Sequence, residues 1–436
     1  MTAFAPMKER FFTAGRRVPL VPSAVSIAAS WVWAPALFVS AEVSYKWGWQ
    51  GLAWFLIPNV AVLIIFGFFA QRVRDRLPQG FTLSGFMRET YSRRVQRAYL
   101  GQLSALALCS FAVQMVAGGA VIAFITGWNY GLITVLMAAA ALTYSSLGGL
   151  RASIAADFFH IGTTIAVVVT FAPAVLGAVG ADTIAAGMSS SGVDAWAVAL
   201  SFGIPTAIGL ISGPFGDQSF WQRTFATRAR QVRNAFTLSA FIFAIVPLSM
   251  AVLGFAAAGA GLVPDSEQLV NVETVYALLP TWTVIPFTIM VVGALVSTMD
   301  NNLVSVSTLT GHDLTTTGHP INRGRVVMAA TAILATAIAN VPGITVTHLF
   351  LIYGTLRAST LAPTVLTLTL KRRLPSEPGM FWGIILALLI GLPVFLYGSF
   401  AEGADAYKTV GSILTIGIAA TTVLISRQKG QDHARV

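Results

Sequence analysis

Apolar stretches close to the ~20 residues that a bilayer core requires recur along this chain, separated by short polar connections. The pattern predicts an all-α, polytopic membrane protein of about twelve spans, at 21–42, 48–71, 99–126, 129–147, 154–179, 195–222, 232–258, 284–308, 324–341, 344–370, 379–398 and 405–426. No soluble domain is expected. The longest polar stretch, 72–98, contains Pro78, Gly80 and Gly85 and reads as a loop with a short amphipathic helix. The segment 259–283 reads either as a surface loop or, around Asn271 to Pro280, as a short helix capping a vestibule.

Two predicted spans are interrupted at mid-depth. The first contains Ser30-Trp31-Val32-Trp33-Ala34-Pro35; the sixth contains Gly203, Pro205 and Gly209, then Ser212-Gly213-Pro214-Phe215-Gly216-Asp217. Proline removes a backbone donor and glycine loosens the helix, so both spans are expected to unwind there. Backbone groups freed in hydrocarbon need partners, and a cation and a polar solute are suitable ones. Spans one and six would head two groups of five with opposite topology, the inverted-repeat pattern with binding at the midplane. Two ordinary proline kinks are the plainer alternative.

Composition agrees with a membrane class: 56% of residues are hydrophobic, 10% are charged and the mean hydropathy is +0.75, which excludes a soluble protein of this size. The net charge of +10 invites a nucleic-acid partner, but the positions of the charges argue against one. With the N-terminus cytoplasmic, 24 of the 27 basic residues fall on the cytoplasmic side, leaving Lys46, Lys408 and the intramembrane Arg357. That side receives the 72–97 loop, the Arg223–Arg233 cluster, the Lys371-Arg372-Arg373 run and the tail. The far loops carry Glu42, Asp182, Asp194, Asp265, Glu267, Glu273, Glu402 and Asp405. The positive-inside rule therefore predicts cytoplasmic N- and C-termini (1–20 and 427–436) in a cell (plasma or inner) membrane. Cys109 is the single cysteine, so no intrachain disulfide is possible, and no cleavable signal peptide is visible around Lys8-Glu9-Arg10-Phe11-Phe12.

Ionisable groups inside spans are functional candidates, because each costs ~2.5–3.5 kcal/mol at the bilayer centre. They are Asp157, His160, Asp217, Asp300 and Arg357. Asp157 lies a few residues into its span and is expected to be partly hydrated. Arg357 lies near the centre of span ten, too deep to snorkel. In span eight Ser297, Asp300 and Asn301 are spaced i, i+3, i+4 and share one helical face. Hydroxyl, carboxylate and amide oxygens suit an alkali cation, although hydroxyls in a membrane helix also bond their own backbone. No His/Cys cluster has zinc spacing. His160 follows Asp157 by three residues, which reads as a proton relay or as an ordinary helix histidine. No nucleophile, base and orienter are spaced for catalysis, so no enzyme is expected.

Four stretches carry a family resemblance. Phe11-Phe12-Thr13-Ala14-Gly15-Arg16 is similar to a Phe-x-x-Ala-Gly-Arg run, Tyr144-Ser145-Ser146-Leu147-Gly148-Gly149-Leu150-Arg151-Ala152 precedes Asp157, Trp221-Gln222-Arg223 follows Gln218, and Ala294 precedes Ser297-Thr298. In this order they resemble the sodium:solute symporter family over nearly the whole chain. Ser30-Trp31-Val32-Trp33 and the run from Asp217 to Arg223 look most like its urea-transporting branch. The resemblance implies a LeuT-type 5+5 core at 21–370, with repeats near 21–179 and 195–370, and two peripheral helices at 371–426. It implies a sodium site from the carbonyls of Ala28, Trp31 and Ala294 and the hydroxyls of Ser297 and Thr298. Asp157, Ser297, Asp300 and Asn301 match a second cation site found in some members. Substrate is implied between the broken helices, near Ser30, Trp33, Gly213, Phe215 and Asp217, with Gln114 and Thr355 completing the pocket.

The chain departs from the family in two places. It starts at the Phe-x-x-Ala-Gly-Arg run without the extra N-terminal helix of many members, and it carries Arg357. That arginine would either neutralise Asp300 or Asp157, or bind a carboxylate on the substrate. The expected function is Na+-coupled symport of a small polar solute by alternating access. Urea or a similar amide is the first choice, with an amino acid or monocarboxylate next. Proton coupling or facilitation through Asp157, Asp300 or His160 is the alternative; a sensor is remote.

Overall fold

The computed structural model describes residues 12–189, 192–313, 320–370 and 374–426. Phe11 and the Lys8-Glu9-Arg10 run before it, the Lys371-Arg372-Arg373 run and the tail lie outside them. Among the described residues the structure is helical, and its extended pairing is a single parallel bridge, Val18 with Thr227.

The chain order is α1 Leu20–Trp31, α2 Ala34–Leu37, α3 Val39–Arg76, α4 Leu83–Thr90, α5 Arg93–Thr126, α6 Tyr130–Val179 and α7 Ala181–Met188. It continues with α8 Ala195–Val198, α9 Ile204–Ser212, α10 Gln218–Ala226, α11 Val232–Gly259, α12 Val270–Leu278 and α13 Val284–Asp313. The last helices are α14 Pro320–Ala339, α15 Val346–Thr369, α16 Glu377–Leu386, α17 Leu392–Phe400 and α18 Ala406–Ile425. A π-turn, Ala199–Gly203, joins α8 to α9, and another, Ala387–Gly391, joins α16 to α17. Ten helical stretches among the described residues are long and apolar enough to cross a membrane. Two shorter apolar helices, Leu20–Trp31 and Tyr130–Ser146, accompany them. The protein is a multi-pass membrane protein.

Several expectations need correction. Helix α3 joins the end of the first predicted span to the second, turning at Gly48, whose φ of 58° only glycine adopts without strain. The 259–283 segment contains a true helix, α12, with Val270 to Val275 buried, so the stretch is helical and not only a surface loop. The positive-inside count treats Arg223 and Arg74 as loop residues; both are buried, and Arg223 belongs to α10, the helix that follows the break in the sixth span.

Helix ends are closed by polar side chains, which matters in a medium that supplies no water. Asn129 caps α6, Asp217 caps α10 and Thr345 caps α15. On the basic face Arg16 donates to the carbonyls of Gly80 (2.5 Å) and Gln79 (3.0 Å). Gln218 bonds Phe81 and Leu83, and Thr82 donates to Asp313 at 2.6 Å. On the acidic face Asn271 donates to the Leu37 carbonyl (3.0 Å), Tyr45 to the Leu262 carbonyl (3.0 Å) and Thr347 to Glu42 (3.0 Å).

The broken sixth span meets α15 at two glycines. A Cβ on Gly209 would lie 2.7 Å from the Cα of Gly354, backbone that cannot rotate away. Small residues at such crossings let membrane helices approach. Gly209→Ala is therefore expected to destabilise the protein by ~1–3 kcal/mol, the usual cost of overpacking. A lowered melting temperature in detergent would show this, and an unchanged one would mean that α9 and α15 can separate freely.

Candidate transport site

The first break follows from local sequence. Helix α1 ends at Trp31, Pro35 sits in the first turn of α2, and Trp33 between them is extended (φ −120°, ψ 178°). Side chains of other helices take up the freed backbone. Gln114 of α5 accepts from the Ala34 amide (2.8 Å) and donates to its own Ser110 carbonyl (3.0 Å). Thr298 of α13 donates to the carbonyls of Val32 and Ala294, both at 3.1 Å. The Ala28 carbonyl accepts from the Val32 amide (2.8 Å), while among the described residues no donor reaches the Trp31 carbonyl. Of the expected sodium set, Thr298 and Ala294 thus adjoin the last turn of α1. Ser297 points elsewhere: its hydroxyl donates to Asp157 Oδ1 at 2.8 Å.

That carboxylate lies at the centre of a second constellation. Asp157 is fully buried, so the expected partial hydration is corrected. Its Oδ2 accepts from Ser26 (2.6 Å) and from Arg223 Nη2 (3.0 Å); its Oδ1 also accepts from Asn301 Nδ2 (3.3 Å). Arg223 donates further to Asn301 Oδ1 (2.8 Å), to the Ser26 hydroxyl (2.9 Å) and to the Ser26 and Ser219 carbonyls. Asn301 also accepts a short bond from Ser153 and donates to Ser30 (3.3 Å). Three of the four expected second-cation residues, Asp157, Ser297 and Asn301, come together here around the chain's own guanidinium. Asp300 does not join them: it is buried beside Ser145 and Ser153, yet neither carboxylate oxygen makes a hydrogen bond of ordinary geometry among the described residues. The same holds for both ring nitrogens of His160.

The second break produces a third constellation. After Ser212 the chain makes a single 3-10 turn, Pro214–Gly216, and Asp217 opens α10 by accepting from the Ser219 amide (2.9 Å) and hydroxyl (2.7 Å). Its other oxygen accepts from Arg357 Nη2 (3.0 Å) and Tyr353 (2.6 Å), both from α15. The Arg357 guanidinium lies 3.6 Å from the Tyr353 ring centroid, 5.1 Å from that of Trp31 and 5.5 Å from that of Trp33. A Cβ on Gly213 would collide with the Trp31 ring and come 3.1 Å from Arg357 Nη1, so glycine makes room for the indole first and the guanidinium beside it. Arg357 therefore neutralises neither Asp300 nor Asp157; its partner is Asp217, because the unwound turn carries Asp217 up to α15.

Of the expected substrate residues, Trp33, Gly213, Asp217 and Arg357 form one box between the two breaks, with Gln114 holding its edge. The others fall outside it. Ser30 belongs to the Asp157 network, donating to the Ser26 carbonyl at 2.8 Å. Thr355 bonds the Leu351 carbonyl of its own helix, and the Phe215 ring packs against Phe66 and Phe69 at 5.1 and 5.2 Å. Sequence reasoning missed Tyr353, Ser26 and Ser153. Ser23, Ser26 and Ser30 form a hydroxyl stripe along apolar α1, a signal that pointed to Ser26; nothing comparable marked Tyr353.

A profile of the sodium:solute symporter family matches residues 11–387. The chain belongs to this family. Among curated relatives, the urea-proton symporter DUR3 of Oryza sativa subsp. japonica is 24% identical over 467 residues, covering 94% of this chain. The chain spans only 64% of that relative's length. The urea branch is thus the part of the family it resembles. Among solved structures, a Na+-coupled sialic acid symporter in an outward-open state shares the fold at a TM-score of 0.75, with 14% identity and coverage of 97% of this chain and 93% of that one. MhsT in complex with L-phenylalanine matches at 0.63, with 14% identity over 94% and 98% of the two chains. Family and fold neighbours are transporters of the LeuT type and not enzymes.

Proposed function

We propose that the chain is a secondary active symporter moving a small polar solute, urea or a similar amide first and an amino acid or monocarboxylate next, by alternating access coupled to sodium. The observation that carries this reading is the pair of buried helix breaks, at Trp31–Ala34 and Ser212–Asp217, facing each other across Arg357. The carbonyl end of a helix is partially negative, and in hydrocarbon it needs a partner. A sodium ion at the α1–α13 seam, held by Ala28, Trp31, Ala294, Ser297 and Thr298, would supply that partner once Ser297 turns from Asp157. Such an ion favours one conformation only if it binds that conformation better. A membrane potential negative on the receiving side adds ~2.3 kcal/mol per charge per 100 mV to its entry. The reading includes twelve spans, a 5+5 core at 21–370, peripheral helices in 371–426 and cytoplasmic termini.

Uptake of labelled urea by proteoliposomes, driven by a sodium gradient at clamped potential, tests the proposal; equal uptake with and without that gradient removes sodium. Thr298→Val keeps the shape and removes the hydroxyl. It is expected to raise the sodium concentration for half-maximal uptake tenfold or more, and an unchanged sodium dependence would clear Thr298 of the role.

A second reading, proton coupling, is favoured by two observations. Asp300 is a buried carboxyl without an ion-pair partner among the described residues, and the rice relative is described as a urea-proton symporter. Uptake driven by a pH gradient at negligible sodium would establish it over the first.

A further inference from the structure

We infer that the Asp217–Arg357 pair fixes the charge class of the solute: the box between the two breaks admits a neutral, carbonyl-bearing molecule and refuses cations and carboxylates of the same size. The inference rests on the reading of that box as the solute site, and it narrows the substrate from small polar solutes to neutral amides.

The argument is one of charge and hydrogen-bond capacity. An ionised carboxylate has about four lone-pair sites. All four of those of Asp217 are engaged: Oδ1 by the Ser219 amide and hydroxyl, Oδ2 by Arg357 and Tyr353. No acceptor capacity is left for a cationic guest. The positive charge of Arg357 is compensated at 3.0 Å by that carboxylate and shielded by the rings of Tyr353, Trp31 and Trp33. No uncompensated cation is left for an anionic guest. The pair is 2% exposed at the arginine and 12% at the aspartate, so a charged solute would enter a dry site without a counter-ion. Desolvating an unpaired ion costs several kcal/mol.

What the box still offers is donors. Arg357 Nε and the indole nitrogens of Trp31 and Trp33 are buried and have no hydrogen-bond partner among the described residues. A carbonyl oxygen accepts from such groups without bringing charge. Arg357 therefore serves as a specificity residue whose role is to balance Asp217. Removing either partner should invert the selection, because the survivor becomes a counter-ion for a charged guest.

The test compares urea and acetamide (neutral), guanidinium (cation) and acetate (anion) at millimolar concentration as ligands of the purified protein by thermal shift, and as competitors of labelled urea in liposomes. Wild type is expected to prefer the neutral pair at least tenfold over both ions. Arg357→Gln is expected to gain at least tenfold for guanidinium, and Asp217→Asn, whose side chain still caps α10, at least tenfold for acetate. The double variant Asp217→Asn/Arg357→Gln carries no net charge and should favour the neutral pair again. Wild-type protein that transports urea, with folded single variants that show no exchange of preference, overturns this inference alone. So does a wild type that takes guanidinium or acetate as well as urea, an outcome readable even where the single variants fail to fold. A wild type that binds none of the four overturns the transport-site reading with it.

Discussion

Arg223→Met is expected to cost the protein ~3–5 kcal/mol of stability, the penalty for stripping one partner from a buried ion pair. Asp157 would keep Ser26, Ser297 and Asn301 as donors but would lose its only charged partner among the described residues, at a fully buried position. Asn301 and the Ser26 carbonyl would lose donors as well. Adding Asp157→Asn removes the stranded charge, so the double variant should recover much of the loss. Melting curves of the two single variants, the double and wild type measure the coupling directly. If Arg223→Met melts with the wild type, the pair is not holding α1, α6, α10 and α13 together. The pair also bears on ion coupling: while Arg223 occupies the space between Asp157 and Asn301, a guanidinium that never leaves the protein stands where a second mobile cation was expected.

Asp300→Asn is expected to act in the opposite sense on stability. Asp300 is buried beside the Ser145 and Ser153 hydroxyls without an ion-pair partner among the described residues, so its charged form carries a desolvation penalty that the amide removes altogether. The variant should therefore melt at or above wild type. Where a proton drives transport, the same change is expected to abolish accumulation under a pH gradient, leaving downhill solute exchange. Retained proton-driven accumulation in Asp300→Asn would show that the carboxyl does not carry the proton.

The helices were legible because hydropathy in a membrane chain is a strong, repeated signal, and the two breaks were legible because Pro35 and the Gly213-Pro214 step loosen a helix at mid-span, although Pro58, Pro173, Pro247 and Pro363 stay within continuous helices. The deeper wiring was not. Arg223 reads in sequence as the first charge of a basic loop, since nothing local reveals that α10 continues the sixth span and turns the residue inward. Arg357 was visible as an anomaly, but its partner depends on how far the unwound turn carries Asp217, a tertiary quantity. Tyr353 lies one helical turn before Arg357 and looks like any apolar-face aromatic until its hydroxyl is seen on Asp217. Phe215 failed for the converse reason: it lies in the break itself, yet its ring turns toward Phe66 and Phe69.

The bond from Asn271 to the Leu37 carbonyl joins α12 to the short helix just beyond the first break. Any tilt of that short helix must drag the start of α12 along or snap the bond, so α12 is expected to follow the first break like an arm hinged at Asn271. Tyr276, 62% exposed on that arm, is a natural place for a spectroscopic tag, since Cys109, the only other thiol in such a Tyr276→Cys protein, is buried.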